Sequence, residues 1–503
     1  MKIRSRLHTM RRRLAPAPGR WRWLAAFAAV AALAGASAVW AENSDDEKPD
    51  DATAQATGEF RNPINGAADP TIVHHDGNYY LSTTQGDRLS VWKSPSLAGL
   101  LTAPRQDVWI ESDPSRNQQM WAPALHQFDS PEGPRWYLYY TASDGVDENH
   151  RMYVLESEGD DPAGPYQFKA RIADHGEYAI DGEPFMLNGK PYFVWTGPGR
   201  GMGGPSQLYI QEMSDPWTTV GDRVAIPADG GCPEVREGPT PLYGDGQTFL
   251  TYSTCDTGKP DYQLWMKSIA DGANPMDPAS WVQHAGPAFA RDDAAGVWGP
   301  GHHFFFKSPD GTEDWIAYHG KNTGEYTYSF RTTRAQKIGW NDDGTPALGT
   351  PLAAGATQAL PSGDPGPGTR AINDFDVGGD DFQVEYAGTW NSGSGCGVQC
   401  YQGDDHWSQE AGATATFTFT GTQIALFSVR DVGNGYATFS IDGGDESEPV
   451  DFYSDIRVGE QPNYVSPVLE PGTHTLRVTV TGEKNSSASA AFVSVDRAEV
   501  YGG

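Results

Sequence analysis

Residues 180–197 read "IDGEPFMLNGKPYFVWTG", and the order of the parts decides the fold. The aromatic run from Tyr192 to Trp195 has the length and composition of a buried strand, and Asn188-Gly189 just ahead of it is a hairpin turn signal. Two acids, Asp181 and Glu183, open the unit. An acid at the mouth of a strand is ordinarily solvated. It acquires another meaning if the unit recurs and the copies bring their acids together.

The unit does recur. Aligned on their aromatic runs, the copies are "DGNYYLSTT" (76–84), "GPRWYLYYT" (133–141), "NGKPYFVWT" (188–196), "GDGQTFLTYS" (244–253) and "DGTEDWIAYH" (310–319). Counted from Tyr79, Trp136, Tyr192, Thr248 and Trp315, successive copies are 57, 56, 56 and 67 residues apart. Five such units, rich in short strands and Gly-containing turns and almost without helical periodicity, predict a five-bladed β-propeller over residues 59–358. A Pro/Gly-rich stretch, 359–370, is expected to be a linker. Residues 371–503 change to short alternating strands such as "ATATFTFTG", "QIALFSV" and "HTLRVTVTG", which predict an antiparallel β-sandwich. The chain is expected to be all-β.

The first 41 residues carry eight Lys and Arg, no acid, an apolar stretch from Leu24 to Leu33 and small-residue cleavage options. They predict a secretory signal peptide, which leaves no stable membrane span after processing. Residues 42–58, "ENSDDEKPDDATAQATG", lack apolar content and are expected to be an acidic disordered tether. Taking eight basic residues from a chain of net charge −30 leaves about −38. That surface excludes nucleic acid, anionic lipid and polyanionic substrates as partners and leaves neutral ones. The 16 Trp and 22 Tyr supply flat apolar faces of the kind that stack on sugar rings. Four cysteines in a secreted chain, with no CxxC pair, imply two disulfides; proximity pairs Cys232 with Cys255 and Cys396 with Cys400.

In a propeller the first strand of each blade lines the central channel. Asp69 lies 10 residues before Tyr79, Asp181 11 before Tyr192 and Glu237 11 before Thr248. Three carboxylates from three blades are therefore aimed at one point, beside Trp121 of the second blade and His302 of the fifth. Glycoside hydrolysis needs such a set: a protonated acid for the leaving oxygen, an ionised carboxylate for water or carbon, and a third acid to keep the first protonated.

The motifs "NPINGAADPTIV", "WAPAL", "RMYVLES", "AIDGEPF", "EGPTPL", "GPGHHFFFKSPDGTEDWIAYH" and "QKIGWNDDGTPALGTP" together resemble glycoside hydrolase family 43, above all its exo-acting α-L-arabinofuranosidase branch. The resemblance implies a secreted, inverting enzyme acting on arabinan or arabinose-decorated plant polysaccharide. Asp69 would be the general base, Glu237 the general acid and Asp181 the modulator of the acid's pKa. It further implies a structural Ca²⁺ at His302, held largely through water, and no organic cofactor. Trp121 is similar to a sugar-stacking platform, and Arg331 is placed to hydrogen-bond a sugar hydroxyl. His303 and His319 are expected to pack the blades. The chain departs from many relatives at Ala124, where they carry an acid, and at His303, where they carry Asn or Cys. A β-xylosidase uses the same three acids, and a non-catalytic glycan-binding propeller is the alternative from another class. The C-terminal module resembles carbohydrate-binding sandwiches, with Trp390, Tyr401, His406 and Trp407 as candidates for a sugar-contacting face.

Overall fold

A computed structural model describes residues 58–199 and 205–502. The expected signal peptide and all but the last residue of the expected tether lie outside the described residues.

Five consecutive four-stranded sheets follow one another, each built from one contiguous segment and each pairing its strands in chain order. Their innermost strands are Thr71–His75, Gln118–Ser130, Ile180–Leu187, Arg236–Tyr243 and Trp298–Lys307. Each touches the innermost strands of both neighbouring blades, and the fifth returns to the first, so the ring is closed. The aromatic runs that defined the repeat are the second strands, for example Lys190–Gly197, and they are almost wholly buried between blades. Closure is apolar: Ile72, Tyr79, Leu81 and Trp92 of blade 1 share one core cluster with Phe306, Trp315, Ala317 and Ala335 of blade 5.

Residues 369–501 form a sandwich whose larger sheets have four and five strands, around a core that includes Phe417, Phe439, Leu476 and Val495. Both disulfides pair as proximity indicates.

The stretch 359–370 is not a free linker. Leu360 is buried in the cluster that closes the ring, and Asp364, also buried, accepts the Leu97 N–H at 2.9 Å. The sandwich is docked by a buried charge cluster. Arg497 is fully buried, bonds Glu460 at 2.9 Å and Glu499, and donates to the Asn62 carbonyl at 3.3 Å. Glu499 also meets Arg61 at 3.1 Å, and Asn322 donates to the Gly459 carbonyl at 3.1 Å. Pro and Gly content reports local backbone preference, not what the segment packs against, so the docking was invisible to composition.

Candidate active site

The innermost strands share one irregularity. In blades 2 to 5 pairing with the second strand skips two residues, between Trp121 and Ala124, Ile180 and Glu183, Glu237 and Thr240, and Gly301 and Phe304. The first skipped residue takes a left-handed conformation in each: Ala122 (φ 46°), Asp181 (53°), Gly238 (55°) and His302 (42°), with Asp69 (59°) the counterpart in blade 1. Such a bulge breaks the in-out alternation of a strand and re-aims its side chains. All five bulge residues line one small cavity on the axis, about 30 Å³, with room for about one or two waters.

The structure brings Asp69, Asp181 and Glu237 together, but not at one register. Asp69 and Asp181 are bulge residues, whereas Glu237 stands one residue before its bulge, level with Trp121. The even offsets counted in the sequence concealed this step.

Asp69 is 7% exposed and gathers donors. Thr84 donates to its Oδ2 at 2.6 Å; its Oδ1 faces His319 Nδ1 at 3.0 Å, Arg331 Nη1 at 3.5 Å and His302 Nδ1 at 3.7 Å. Burial opposes its charge, but His302, Arg331 and His319 outweigh that and hold the carboxyl well below the usual range. Burial also lowers both imidazoles, His319 to about 4, so near neutrality Arg331 supplies the facing positive charge and His319 acts as a neutral hydrogen-bond partner.

Glu237 is treated oppositely. Its Oε1 accepts one hydrogen bond, from Tyr262 at 2.7 Å. Burial, helped by Asp69 and opposed by Tyr262 and Arg331, pushes it up to about 7. Asp181, whose Oδ2 accepts the Gly238 N–H at 3.3 Å, is raised well above its ordinary value by burial, then by Glu237 and Asp69. These two acids titrate as a pair that retains a proton near neutral pH.

Trp121 lies half-buried with its ring stacked on His150 at 4.1 Å. Arg331 reaches the centre, bonded to Thr257 Oγ1 at 3.2 Å as well as facing Asp69. His303 is blade packing, against Thr251 Oγ1 at 2.5 Å. His319 is not merely packing: it contacts Asp69 directly. Its pairing with Gly301, one residue before His302, is the signal that would have found it. Tyr262 and Thr257 had no such signal, lying outside the repeated unit, whereas Thr84 closes its first copy.

Ca²⁺ takes six to eight oxygens. Among the described residues no three His, Cys, Asp or Glu are placed to hold a metal together. The axial cavity offers His302 and Glu183, whose Oε1 is buried without a hydrogen-bond partner while its Oε2 meets His126 at 3.0 Å. These residues form no protein cage, and a cation held there mainly by water would need more water than the roughly one or two molecules the cavity has room for.

The four sandwich aromatics do not form one face. His406 and Trp407 are successive strand residues and point to opposite sides. His406 is buried against Asp374 and Tyr386, Trp390 packs on the sandwich core, and Tyr401 lies beside Gly355 of the first domain. Trp407 alone lines an open cavity of about 410 Å³, with Asp405, Asp431, Arg457 and Phe492.

A closed propeller whose axis carries one ionised acid facing a protonated pair is the equipment of a glycoside hydrolase. The chain belongs to glycosyl hydrolases family 43, whose model matches residues 60–346. It is 35% identical over 316 residues to an extracellular exo-α-(1→5)-L-arabinofuranosidase of Streptomyces avermitilis, covering 59% of this chain and 65% of that protein. It is 35% identical to α-L-arabinofuranosidase 43 of Humicola insolens, over 58% of this chain and 63% of that protein. The matches thus span just under two thirds of these two relatives. The crystal structure of an α-L-arabinofuranosidase from Lactobacillus brevis, 31% identical, superposes with a TM-score of 0.54 over 59% of this chain and 98% of its own.

Proposed function

We propose that the protein is an exo-acting, inverting α-L-arabinofuranosidase that removes terminal arabinofuranose from neutral plant polysaccharide. The observation that carries this is the unequal treatment of two acids on one axis. Asp69, facing Arg331 and bonded by Thr84 and His319, suits the base that takes a proton from water. Glu237, with one tyrosine donor, suits the acid that protonates the departing oxygen, and Asp181 beside it favours the proton's retention. Arg331 and Trp121 bind the sugar. The names of the similar proteins support arabinofuranose as that sugar. Their extracellular naming and two disulfides support action outside the cytoplasm. Among the described residues no helix is long and apolar enough to cross a membrane.

Incubation with an aryl α-L-arabinofuranoside and an aryl β-D-xyloside tests the reading. Release from the first alone is expected; release from the second alone would make the protein a xylosidase, and release from neither a glycan binder.

A further inference from the structure

At the funnel mouth, residues 255–262 tie together parts of the site that come from different blades. Cys255 is bonded to Cys232, five residues before Glu237, and Tyr262 holds Glu237 itself. Thr257 Oγ1 meets both Arg331 and His319 Nε2, each at 3.2 Å. Between them, Asp256 Oδ2 accepts from Tyr328 Oη at 3.0 Å and Tyr326 Oη at 3.4 Å. The two rings meet edge to face with centroids 5.8 Å apart. Both lean on Gly258, where a Cβ would come within 2.9 Å of Tyr326 and 3.2 Å of Tyr328.

These rings are nevertheless 58% and 54% exposed. Their hydroxyls are engaged, so the surface left to solvent is largely ring. Their backbone is fixed too: Arg331 Nε donates to the Tyr328 carbonyl at 2.9 Å. The Lys321 ammonium, beneath, donates to the carbonyls of Gly258, Glu325 and Thr327 at 2.5, 3.1 and 3.3 Å. An aromatic surface held rigid and left open loses little further entropy when a ligand settles on it.

We propose that Tyr326 and Tyr328 form a stacking platform for the sugar unit on the leaving side of the scissile bond. This rests on the exo-hydrolase reading above. The terminal sugar sits among the carboxylates, so the next unit must emerge at the mouth, beside the loop that holds both Glu237 and the two tyrosines. A neutral sugar presents C–H faces that suit aromatic rings on a protein of strongly negative charge.

The test compares α-1,5-L-arabinobiose, whose leaving group is a sugar, with α-L-arabinofuranosyl fluoride, whose leaving group is one atom. Tyr326→Ala and Tyr328→Ala should each lower kcat/KM on the disaccharide roughly tenfold, the loss of one stacking contact, mainly through KM. The loss should be confined to the disaccharide, and Tyr326→Phe, which keeps the ring, should restore most of it. Equal losses on both substrates would mean the tyrosines only brace Arg331, and no loss on either would mean nothing stacks there; both overturn the platform. If the unaltered protein hydrolysed neither substrate, the functional reading would fail and the platform with it.

Discussion

Arg497→Met tests whether the two domains form one cooperative unit. The substitution keeps most of the side-chain volume and removes the cation that bonds Glu460 and Glu499, all three fully or almost fully buried. Removing one partner of such a cluster costs about 3–5 kcal/mol, because the remaining carboxylates are left buried and undercompensated. Arg61, already on Glu499, offsets part of this. With about 2 °C per kcal/mol for a large unit, the melting temperature should fall by roughly 5–10 °C. Glu460→Gln in the same background should recover part of the loss. The informative assay sets the thermal melt beside heat inactivation of aryl arabinofuranoside hydrolysis, since the altered residue is in the sandwich and the acids are in the propeller. Docked domains predict that the two midpoints fall together. A lowered melt with unchanged inactivation would restore a tethered module, and a melt within about 2 °C of the parent would show that the cluster contributes nothing.

Glu237→Gln should lower hydrolysis of arabinobiose by about 10²–10⁴-fold yet spare much of the activity on a dinitrophenyl arabinofuranoside, whose leaving group needs no proton; Asp69→Asn should harm both alike. The same dependence on leaving group in both variants would reverse the role assignment. Glu237 keeps its proton below about pH 7 and loses it above, with Asp181 beside it raised well above its ordinary value, while Asp69 stays ionised until well below its ordinary range. The kcat/KM profile should therefore fall above about pH 7, stay level well into the acid range, and lose its alkaline limb in Glu237→Gln; an acid limb near pH 6 would contradict the account of Asp69. With room for about one or two waters the axial cavity should not hold Ca²⁺, so the parent should melt equally with and without chelator; chelation that lowered the melting temperature of the parent and not of Glu183→Gln would place the ion there.

The blades were legible because each is local: a turn, an aromatic strand and its hairpin partner lie within about 30 residues, and burial on both faces writes itself into composition. The three acids were legible because the unit repeats. What the repeat could not carry was anything that depends on a break in strand alternation. Counting from the aromatic strands put Asp181 and Glu237 at equal offsets, which in a regular strand means one face and one depth. The anchors themselves were one residue out of register: Ile180 pairs with Thr196 and Glu237 with Ser253, so the counterpart of Tyr192 is Phe249 and not Thr248. Asp181 occupies the left-handed position on the cavity wall, and its equivalent in blade 4 is Gly238, whose backbone N–H binds the Asp181 carboxylate. Glu237, one residue earlier, shares the register of Trp121 and so stands toward the mouth, within reach of Tyr262. One step of register thus divides the acids into two levels. The axial level, with Asp69 and Asp181, meets the bulge backbones and imidazoles, whereas Glu237 meets Tyr262 of the blade 4 loop 255–262, whose Asp256 accepts hydrogen bonds from the two exposed tyrosines of blade 5. An acid that must reach the oxygen of an emerging sugar belongs at the second level, and the chain places it there by using Gly238 at the bulge and moving the carboxylate back by one residue.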